Sequence, residues 1–353
     1  MSTPLSERER QVLGAVIECY VQTAEPAASR TIAKRLGSSL SAATIRNTMM
    51  DLEERGFLYH PHTSAGRIPT DSAYRVYVDS LMRPPALTTS ETNQIRDEIG
   101  GDVGGGGGGG AVEHILFRAA QVLGVLTREL GVAAGPSLDE AVLERLELLR
   151  VSTERLLLVL TLRSGVVRTI FVEVRSALEV ETIGRVSAVL NDRLSGLTLR
   201  EIRATIPERL RDAGTGSETT ELINIFIQEA GELFDVPMAA GPAAGGVLLS
   251  SAQLLAGQPE FATAERLQGL MEVTERRDLL HQALAERLGG GITITIGGEH
   301  QHPELSNFTL VTSTYHSGPL AGVIGVMGPT RMPYDKIVAL VDHTSRMISE
   351  LLQ

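Results

Sequence analysis

Residues 41–79 (SAATIRNTMMDLEERGFLYHPHTSAGRIPTDSAYRVYVD) constrain the fold of this chain more than any other stretch. Ser41 can cap a helix in which Ile45, Met49 and Leu52 recur at i, i+4 and i+7, so that these apolar residues share one face. A glycine ends that helix, and the residues after it combine a short apolar strand with Pro- and Gly-containing turn chemistry. A helix followed by a hairpin is typical of a winged helix-turn-helix.

Two further helices are predicted upstream of this stretch. Ser6 can cap a helix that ends before Pro26, because proline cannot continue a helix. A shorter helix, 29–36 (SRTIAKRL), is followed by a tight turn at Gly37. Helix, turn and helix in this order are the parts of a DNA-binding helix-turn-helix. The alternative is a small three-helix bundle whose polar face is only solvated, and the hairpin argues against it.

The residues predicted to bind DNA lie off the apolar face of the second of these helices or in the hairpin. Their hydroxyl, amide and guanidinium groups can hydrogen-bond phosphates and base edges. We expect Thr44, Arg46 and Asn47 to meet the major groove, while Arg67 reaches the DNA backbone or minor groove from near the hairpin tip. The full predicted set is Ser41, Thr44, Arg46, Asn47, His62, Thr63, Ser64 and Arg67.

The acidic charge of the chain is unevenly distributed. The formal net charge is −11, yet residues 1–83 hold ten Lys or Arg and nine Asp or Glu. The excess of acid therefore lies after residue 83, where it should repel nucleic acid. A nearly neutral DNA-binding domain should bind weakly alone, so useful affinity requires two such domains on one duplex. This charge distribution predicts a dimer.

The chain resembles the HrcA family, the heat-inducible transcription repressors of bacteria. The resemblance rests on the N-terminal strings SAATIRN, DLEERG, PHTSAGRIPTD and YRVYVD, and on ITITIGGEH (292–300) and LVTSTYHSGPLAGVIGVMGPTRMPYDKIVALV (310–341). It covers essentially the whole chain. The resemblance implies a dimeric repressor of heat-shock chaperone operons that binds an inverted-repeat operator. It also implies the chaperonin as the partner that maintains repressor activity.

A linker is expected after the N-terminal domain. Pro84-Pro85 ends that domain, residues 88–99 can form a short helix, and Gly104–Gly110 are seven glycines in a row. A phosphate-binding loop requires Gly-Lys-Ser/Thr at the start of a helix, and no lysine lies nearby. The glycine run is therefore interpreted as a flexible spacer.

The rest of the chain predicts an α+β fold built on one antiparallel sheet. A helix over 111–130, strands within 146–174, a helix over 178–194, three strands within 292–328 and a terminal helix give the layout of a GAF-like sensor domain. The family resemblance implies the same fold. The predicted domains are 1–83 (winged helix-turn-helix), 84–110 (linker), 111–194 (GAF-like, first part), 195–286 (inserted dimerisation domain) and 287–353 (GAF-like, second part).

The predicted insertion contains a helix that is apolar on nearly all sides. Leu222, Ile225 and Phe226 are part of this segment, which requires another surface to cover it. It could fold back onto its own sheet domain. The resemblance instead implies self-association, so these three residues are predicted to lie at a dimer interface.

No set of side chains predicts catalysis. Glu299, His300 and His302 have metal-binding chemistry but lie in a turn with no cysteine, so a solvated loop is the preferred interpretation. Arg331 is interpreted as a strand-end residue that binds an anion or another domain. We therefore expect no enzyme, no cofactor and no metal. One cysteine, Cys19, and the absence of a long apolar run predict a cytoplasmic protein without a membrane span.

A second function from a different class stays open at this point. A GAF-like domain can bind a metabolite in an apolar pocket, so the chain could be a metabolite-sensing transcription regulator. No cluster of polar residues in the sequence points to such a ligand.

Overall fold

The computed structural model is a mixed α+β protein. It describes residues 4–37, 40–61, 66–100, 109–136, 138, 141–163, 167–174, 178–212, 217–234, 246–318 and 320–352. The helices are α1 (Glu7–Thr23), α2 (Ser29–Arg35), α3 (Ala42–Glu54), α4 (Asp71–Val76, continued by a π-helical turn Tyr77–Leu81), α5 (Thr89–Gly100), α6 (Gly109–Thr127), α7 (Val180–Leu194), α8 (Leu199–Arg209), α9 (Ser217–Gln228), α10 (Ala230–Leu233), α11 (Gln253–Ala256), α12 (Ala264–Glu275), α13 (Arg277–Ala285) and α14 (Tyr334–Leu351). Within the described ranges, none of these helices is long and apolar enough to cross a bilayer.

Within the described ranges, the strands form three separate sheets. They are β1 (Leu58–Tyr59), β2 (Ile68–Pro69), β3 (Leu130–Ala134), β4 (Leu143–Arg150), β5 (Arg155–Leu162), β6 (Val167–Glu173), β7 (Val247–Leu249), β8 (Ile292–Ile296), β9 (Phe308–Ser317) and β10 (Leu320–Pro329). Short 3₁₀ turns occupy Pro259–Phe261, Gly297–Glu299 and Pro303–Leu305. The sheet orders are β1-β2, β7-β3-β10-β9-β8 and β4-β5-β6.

Residues 4–83, here called the head, contain α1 to α4 and the hairpin β1-β2. A capping box begins α1, since the Ser6 hydroxyl accepts from the Glu9 N–H and the Glu9 carboxylate accepts from the Ser6 N–H. The strands of the hairpin pair antiparallel, with Leu58 opposite Pro69. The helices and the hairpin therefore lie where the sequence predicts them.

The five-stranded sheet forms the centre of what is here called the sheet domain. Its strands are all antiparallel, and its two faces carry different helices. Val311 and Tyr315 of β9 face α6 and α14, whereas Leu310 on the opposite face packs with α12 and α13. This alternation follows from the two-residue period of a strand. Both faces of the sheet are thus covered by helices.

The three-stranded sheet belongs to a separate inserted domain, residues 141–234. Strands β4 to β6 and helices α7 to α10 share one apolar cluster, which includes Leu158, Val186 and Ile202. The prediction of one antiparallel sheet is therefore wrong. Apolar alternation identifies a strand but does not identify the sheet that the strand joins.

The boundaries of the insertion also differ from those predicted. The chain leaves the five-stranded sheet after β3 and returns with β7, which pairs with β3 through Val132 opposite Leu249. The inserted domain therefore lies between two neighbouring strands. The sequence predicts an insertion over 195–286, but Leu270 and Leu280 pack against the five-stranded sheet instead.

The predicted dimerisation residues lie mainly inside the inserted domain. Leu222 and Phe226 are fully buried among the side chains of that domain, and Ile225 is half-buried at the edge of the same cluster. Leu222 and Phe226 are thus core residues, which contradicts their predicted place at an interface. Helix α9 is amphipathic, since Ile223 is also buried whereas Glu221 and Asn224 are exposed.

Part of the predicted linker is a packed helix. Ile95 and Ile99 on α5 are buried against α6 and α14, in one apolar cluster with the head and the five-stranded sheet. Glu91 also forms an ion pair with Lys336 of α14 at 3.0 Å. The glycine run lies largely outside the described residues, and its last two members begin α6.

Candidate nucleic-acid interface

Helix α3 presents one apolar face to the head and one polar face to solvent. Ile45, Met49 and Leu52 are buried, as the sequence predicts. At the start of the helix, the Ser41 hydroxyl accepts a hydrogen bond from the Thr44 N–H at 3.1 Å. This cap satisfies one of the free N–H groups at the helix start and fixes where the helix begins.

The exposed side of α3 carries a cation and an amide at consecutive positions. Arg46 and Asn47 are both exposed, and in the described part of the chain neither side chain has a hydrogen bond or ion pair. Ser41 is also exposed, while Thr44 is half-buried and its hydroxyl lies 2.9 Å from that of Ser41. Arg46 and Asn47 are therefore free to donate and accept hydrogen bonds at a groove or phosphate.

The structure places Arg67 directly before β2, where its side chain is only 12% exposed. The Arg67 guanidinium pairs with Glu53 of α3 at 2.8 Å and also hydrogen-bonds His60. Its backbone pairs with Ala27 through two hydrogen bonds of 2.9 and 3.0 Å. This contradicts the expectation of a free cation near the hairpin tip, because an acid on α3 already neutralises it.

The same contacts indicate the tautomer of His60. Its Nδ1 lies 2.7 Å from the Glu53 carboxylate, and its Nε2 faces the Arg67 guanidinium. A guanidinium only donates, so Nε2 accepts and Nδ1 carries the proton that is donated to Glu53. The three side chains together tie the C-terminal part of α3 to the hairpin.

Gly66 is required where the hairpin approaches the segment between α1 and α2. A Cβ at this position would overlap the carbonyl group of Ala27, which pairs with Arg67. The neighbouring predicted DNA-binding residues His62, Thr63 and Ser64 lie outside the described residues.

A second ion pair joins the start of α1 to the residue that follows α3. Arg55, which follows α3, donates to Glu9 of α1 at 2.6 Å. Hydrogen bonds from Ser6, assisted by Arg55, lower the pKa of Glu9. Glu9 is therefore charged at neutral pH and holds α1 against the end of α3.

Two exposed cations on α2 are not among the residues that the sequence predicts to bind DNA. Arg30 and Lys34 are exposed on the helix that precedes the turn into α3. By contrast, Arg35 on the same helix is held by Gln22 at 2.8 Å and Glu18 at 3.3 Å. The polar face of SRTIAKRL was a signal for Arg30 and Lys34, but the sequence did not show which of its three cations have acidic partners.

Two of the three residues considered for metal binding, Glu299 and His300, have other partners in the structure. Glu299 binds Arg75 of the head, and His300 Nε2 lies 3.2 Å from the Phe308 carbonyl. Burial, followed by the charge of Arg287, lowers the pKa of His300 to about 4. Arg331 contacts Glu260 and a carbonyl of the head, so that its interpretation as a residue that binds another domain is confirmed.

Comparison with known proteins gives one consistent family. A family model described as HrcA protein C terminal domain matches residues 113–338. The Heat-inducible transcription repressor HrcA of Chlorobium limicola is 38% identical over 360 residues, with 99% of this chain and 98% of the relative covered. The protein of the same name from Chlorobaculum tepidum is 38% identical over 356 residues, with 99% and 98% covered.

A solved structure shows a similar fold. It is a crystal structure at 2.2 Å resolution of a protein described as hypothetical, with a TM-score of 0.56 and 23% identity over 99% of both chains. At this identity the likeness concerns the fold alone.

Proposed function

The chain belongs to the HrcA family of heat-inducible transcription repressors, and we propose that its head is a winged helix-turn-helix that binds operator DNA. In this proposal α2 and α3 are the helix-turn-helix, α3 is the recognition helix and β1-β2 is the wing. The supporting observation is the exposed pair Arg46 and Asn47 on a capped helix whose other face is buried. A guanidinium can recognise guanine and a carboxamide can recognise adenine in the major groove.

The wing has a different role in this proposal from the one expected from the sequence. Because Glu53 neutralises Arg67, that residue supports the wing rather than the DNA backbone. Arg30 and Lys34 are the exposed cations that we propose for phosphate contacts, together with the hydroxyls of Ser41 and Thr44. His62, Thr63 and Ser64 remain proposed wing contacts.

We propose that two chains bind one inverted-repeat operator. The head carries almost no net charge, so a single head should bind weakly. The inserted domain offers a surface for the second chain on the outer face of β4 to β6. Leu149, Leu157 and Phe171 lie in one cross-strand row there, and Phe171 is 62% exposed. An apolar sheet face of this kind is typical of a protein interface.

The family supplies the remaining parts of the proposal. We propose that the operator precedes heat-shock chaperone genes, that the chaperonin maintains repressor activity, and that the protein acts in the cytoplasm. We also propose that the five-stranded sheet domain is GAF-like, which its antiparallel sheet with helices α6 and α14 on one face supports. The metabolite-sensing alternative is not favoured, since the other face is filled by side chains such as Phe261 and Phe308, whose rings stack at 5.9 Å.

Two arginine substitutions test this assignment. We expect Arg46→Ala to weaken operator binding by about 1–3 kcal/mol while non-specific binding changes little, because a base contact is lost. We expect Arg67→Ala to weaken binding without changing its salt dependence, because Arg67 is paired with Glu53 rather than phosphate. Titrations at several salt concentrations, with and without the operator sequence, measure both effects.

A matched control is Arg185→Ala, since Arg185 is 56% exposed on the inserted domain, far along the chain from the head. It should leave both affinities unchanged. Unchanged operator affinity in a folded Arg46→Ala chain would show that α3 does not recognise bases through Arg46. A salt slope lowered by about one in Arg67→Ala would restore the phosphate contact expected from the sequence.

A further inference from the structure

The head is joined to the sheet domain by two arginines, one contributed by each domain. Arg75 of α4 reaches the turn after β8, where its Nε donates to Glu299 Oε1 at 2.7 Å and its Nη2 to Oε2 at 2.5 Å. The same Nη2 donates to the Ile294 carbonyl at 2.7 Å. This bidentate contact restricts the orientation of the Arg75 guanidinium relative to the Glu299 carboxylate as well as the distance between them, because the two planes must align.

The backbone beside Glu299 adds a second contact to this first joint. The N–H of Gly298 donates to the Asp71 carboxylate of α4 at 3.0 Å. Gly297 next to it has φ +51°, and a Cβ there would overlap the same carboxylate. The first joint is therefore a close fit between the start of α4 and the Gly297–Glu299 turn.

The second joint is made with α1 instead of α4. Arg331 follows β10, and its guanidinium forms a two-pronged ion pair with Glu260, with Nη2 to Oε2 at 2.9 Å. Its Nη1 donates to the Val21 carbonyl of α1 at 2.7 Å. The Arg331 side chain is only 14% exposed, so water competes little for these bonds.

We propose that these two joints fix the direction of α3 relative to the sheet domain and thereby position the two heads of a dimer for one operator. A single contact would act as a pivot, whereas contacts on both α1 and α4 oppose rotation of the head. This inference rests on the proposed DNA-binding function. Its physical basis is that the second head gains from effective concentration only when it already points at its half-site.

A steric wedge in the first joint tests the proposal. Gly297→Ala should displace Asp71, whereas the control Gly291→Ala has similar backbone strain (φ +49°) with no atom near its Cβ. We expect Gly297→Ala to lower the ratio of full-operator to half-site affinity by about tenfold or more, with half-site affinity unchanged. Gly291→Ala should keep the wild-type ratio.

Removing both arginines gives a second test without a wedge. The variant Arg75→Met with Arg331→Met should lower the same ratio, while Arg276→Met, which removes an exposed ion pair to Glu304 within the sheet domain, should not. A ratio that stays constant or rises in both test variants would overturn the proposal. If the wild-type chain did not bind the half-site at all, that result would instead count against the proposed function.

A measurement without DNA tests the fixed position of the head separately from the proposed DNA-binding function. Spin labels at exposed Lys34 of the head and exposed Glu265 of α12, with buried Cys19 replaced by Ala and labelled chains diluted with unlabelled ones, report the distance between head and sheet domain. We expect a narrow distance distribution for the wild type and for Gly291→Ala. Gly297→Ala and the double Met variant should broaden or shift it, and an unchanged distribution would overturn the proposal even if DNA binding failed.

Discussion

Glu129, between α6 and β3, is a carboxyl group removed almost completely from water. The residue is 2% exposed, and Gln258 donates a hydrogen bond to its Oε2 at 3.0 Å. Burial raises the pKa of Glu129 to about 8. The side chain is therefore largely neutral at pH 7, and ionising it in place opposes the folded state.

We expect Glu129→Gln to remove a pH dependence of stability. The folded-state pKa lies above the unfolded value of 4.5, so the stabilisation from the neutral form is complete below pH 4.5 and is lost as pH rises through 8. The wild type should lose about 2–5 kcal/mol of unfolding free energy across this range, and the variant should not. Urea unfolding at a series of pH values measures this pH dependence of the unfolding free energy. The substitution Glu265→Gln, at an exposed position, is the control. Parallel pH profiles for wild type and Glu129→Gln would contradict the expectation.

At the scale of single elements, α5 shows how a segment next to a glycine run can still belong to a core. Its two buried isoleucines are four residues apart, which places them on one side of the helix. The exposed side is polar, and the helix begins with Thr88 accepting from the Glu91 N–H at 3.2 Å. The segment therefore forms an amphipathic helix that needs α6 and α14 to be stable.

Ile95→Ala tests whether α5 is part of the fold. Ile95 is fully buried, so we expect the substitution to lower the unfolding free energy by about 2–5 kcal/mol through lost burial and a cavity. Asn93→Ala on the exposed side of α5 should change it by less than about 0.5 kcal/mol. Denaturant titrations compare the two. Equal, small effects would show that residues 84–110 act as a free linker in solution.

For the whole molecule, the outer face of the inserted domain is the proposed contact between two chains. We expect Phe171→Asp to yield monomers, because a charge in an apolar interface loses its hydration without gaining a partner. Full-operator affinity should then fall toward the half-site value, by about a hundredfold. Light scattering and titration of full and half operators measure both effects.

The control for this prediction is Val180→Asp. Val180 is 67% exposed at the start of α7, in the same domain but outside the β4 to β6 face. It should leave the dimer intact, since an acid is also favourable at a helix start. A Phe171→Asp chain that stays dimeric would place the contact elsewhere.

The sequence by itself determined the local structure of the head and the polar side of α3. The cap at Ser41, the stripe Ile45, Met49 and Leu52, and the exposure of Arg46 all follow from helical period and local chemistry. The long strings shared with the HrcA family identified the whole chain, and the family is confirmed. Such features depend on neighbours in the chain, so the sequence alone suffices to show them.

Only the tertiary structure decided which distant side chains meet. The sequence could not show that Glu53 neutralises Arg67, or that Arg331 reaches the head. It also could not show that α9 is covered by its own domain, or that β4 to β6 form a separate sheet, because every apolar strand has the same alternating pattern. Burial and charge pairing depend on residues tens to hundreds of positions apart, and the fold brings these together where no local pattern records their contact.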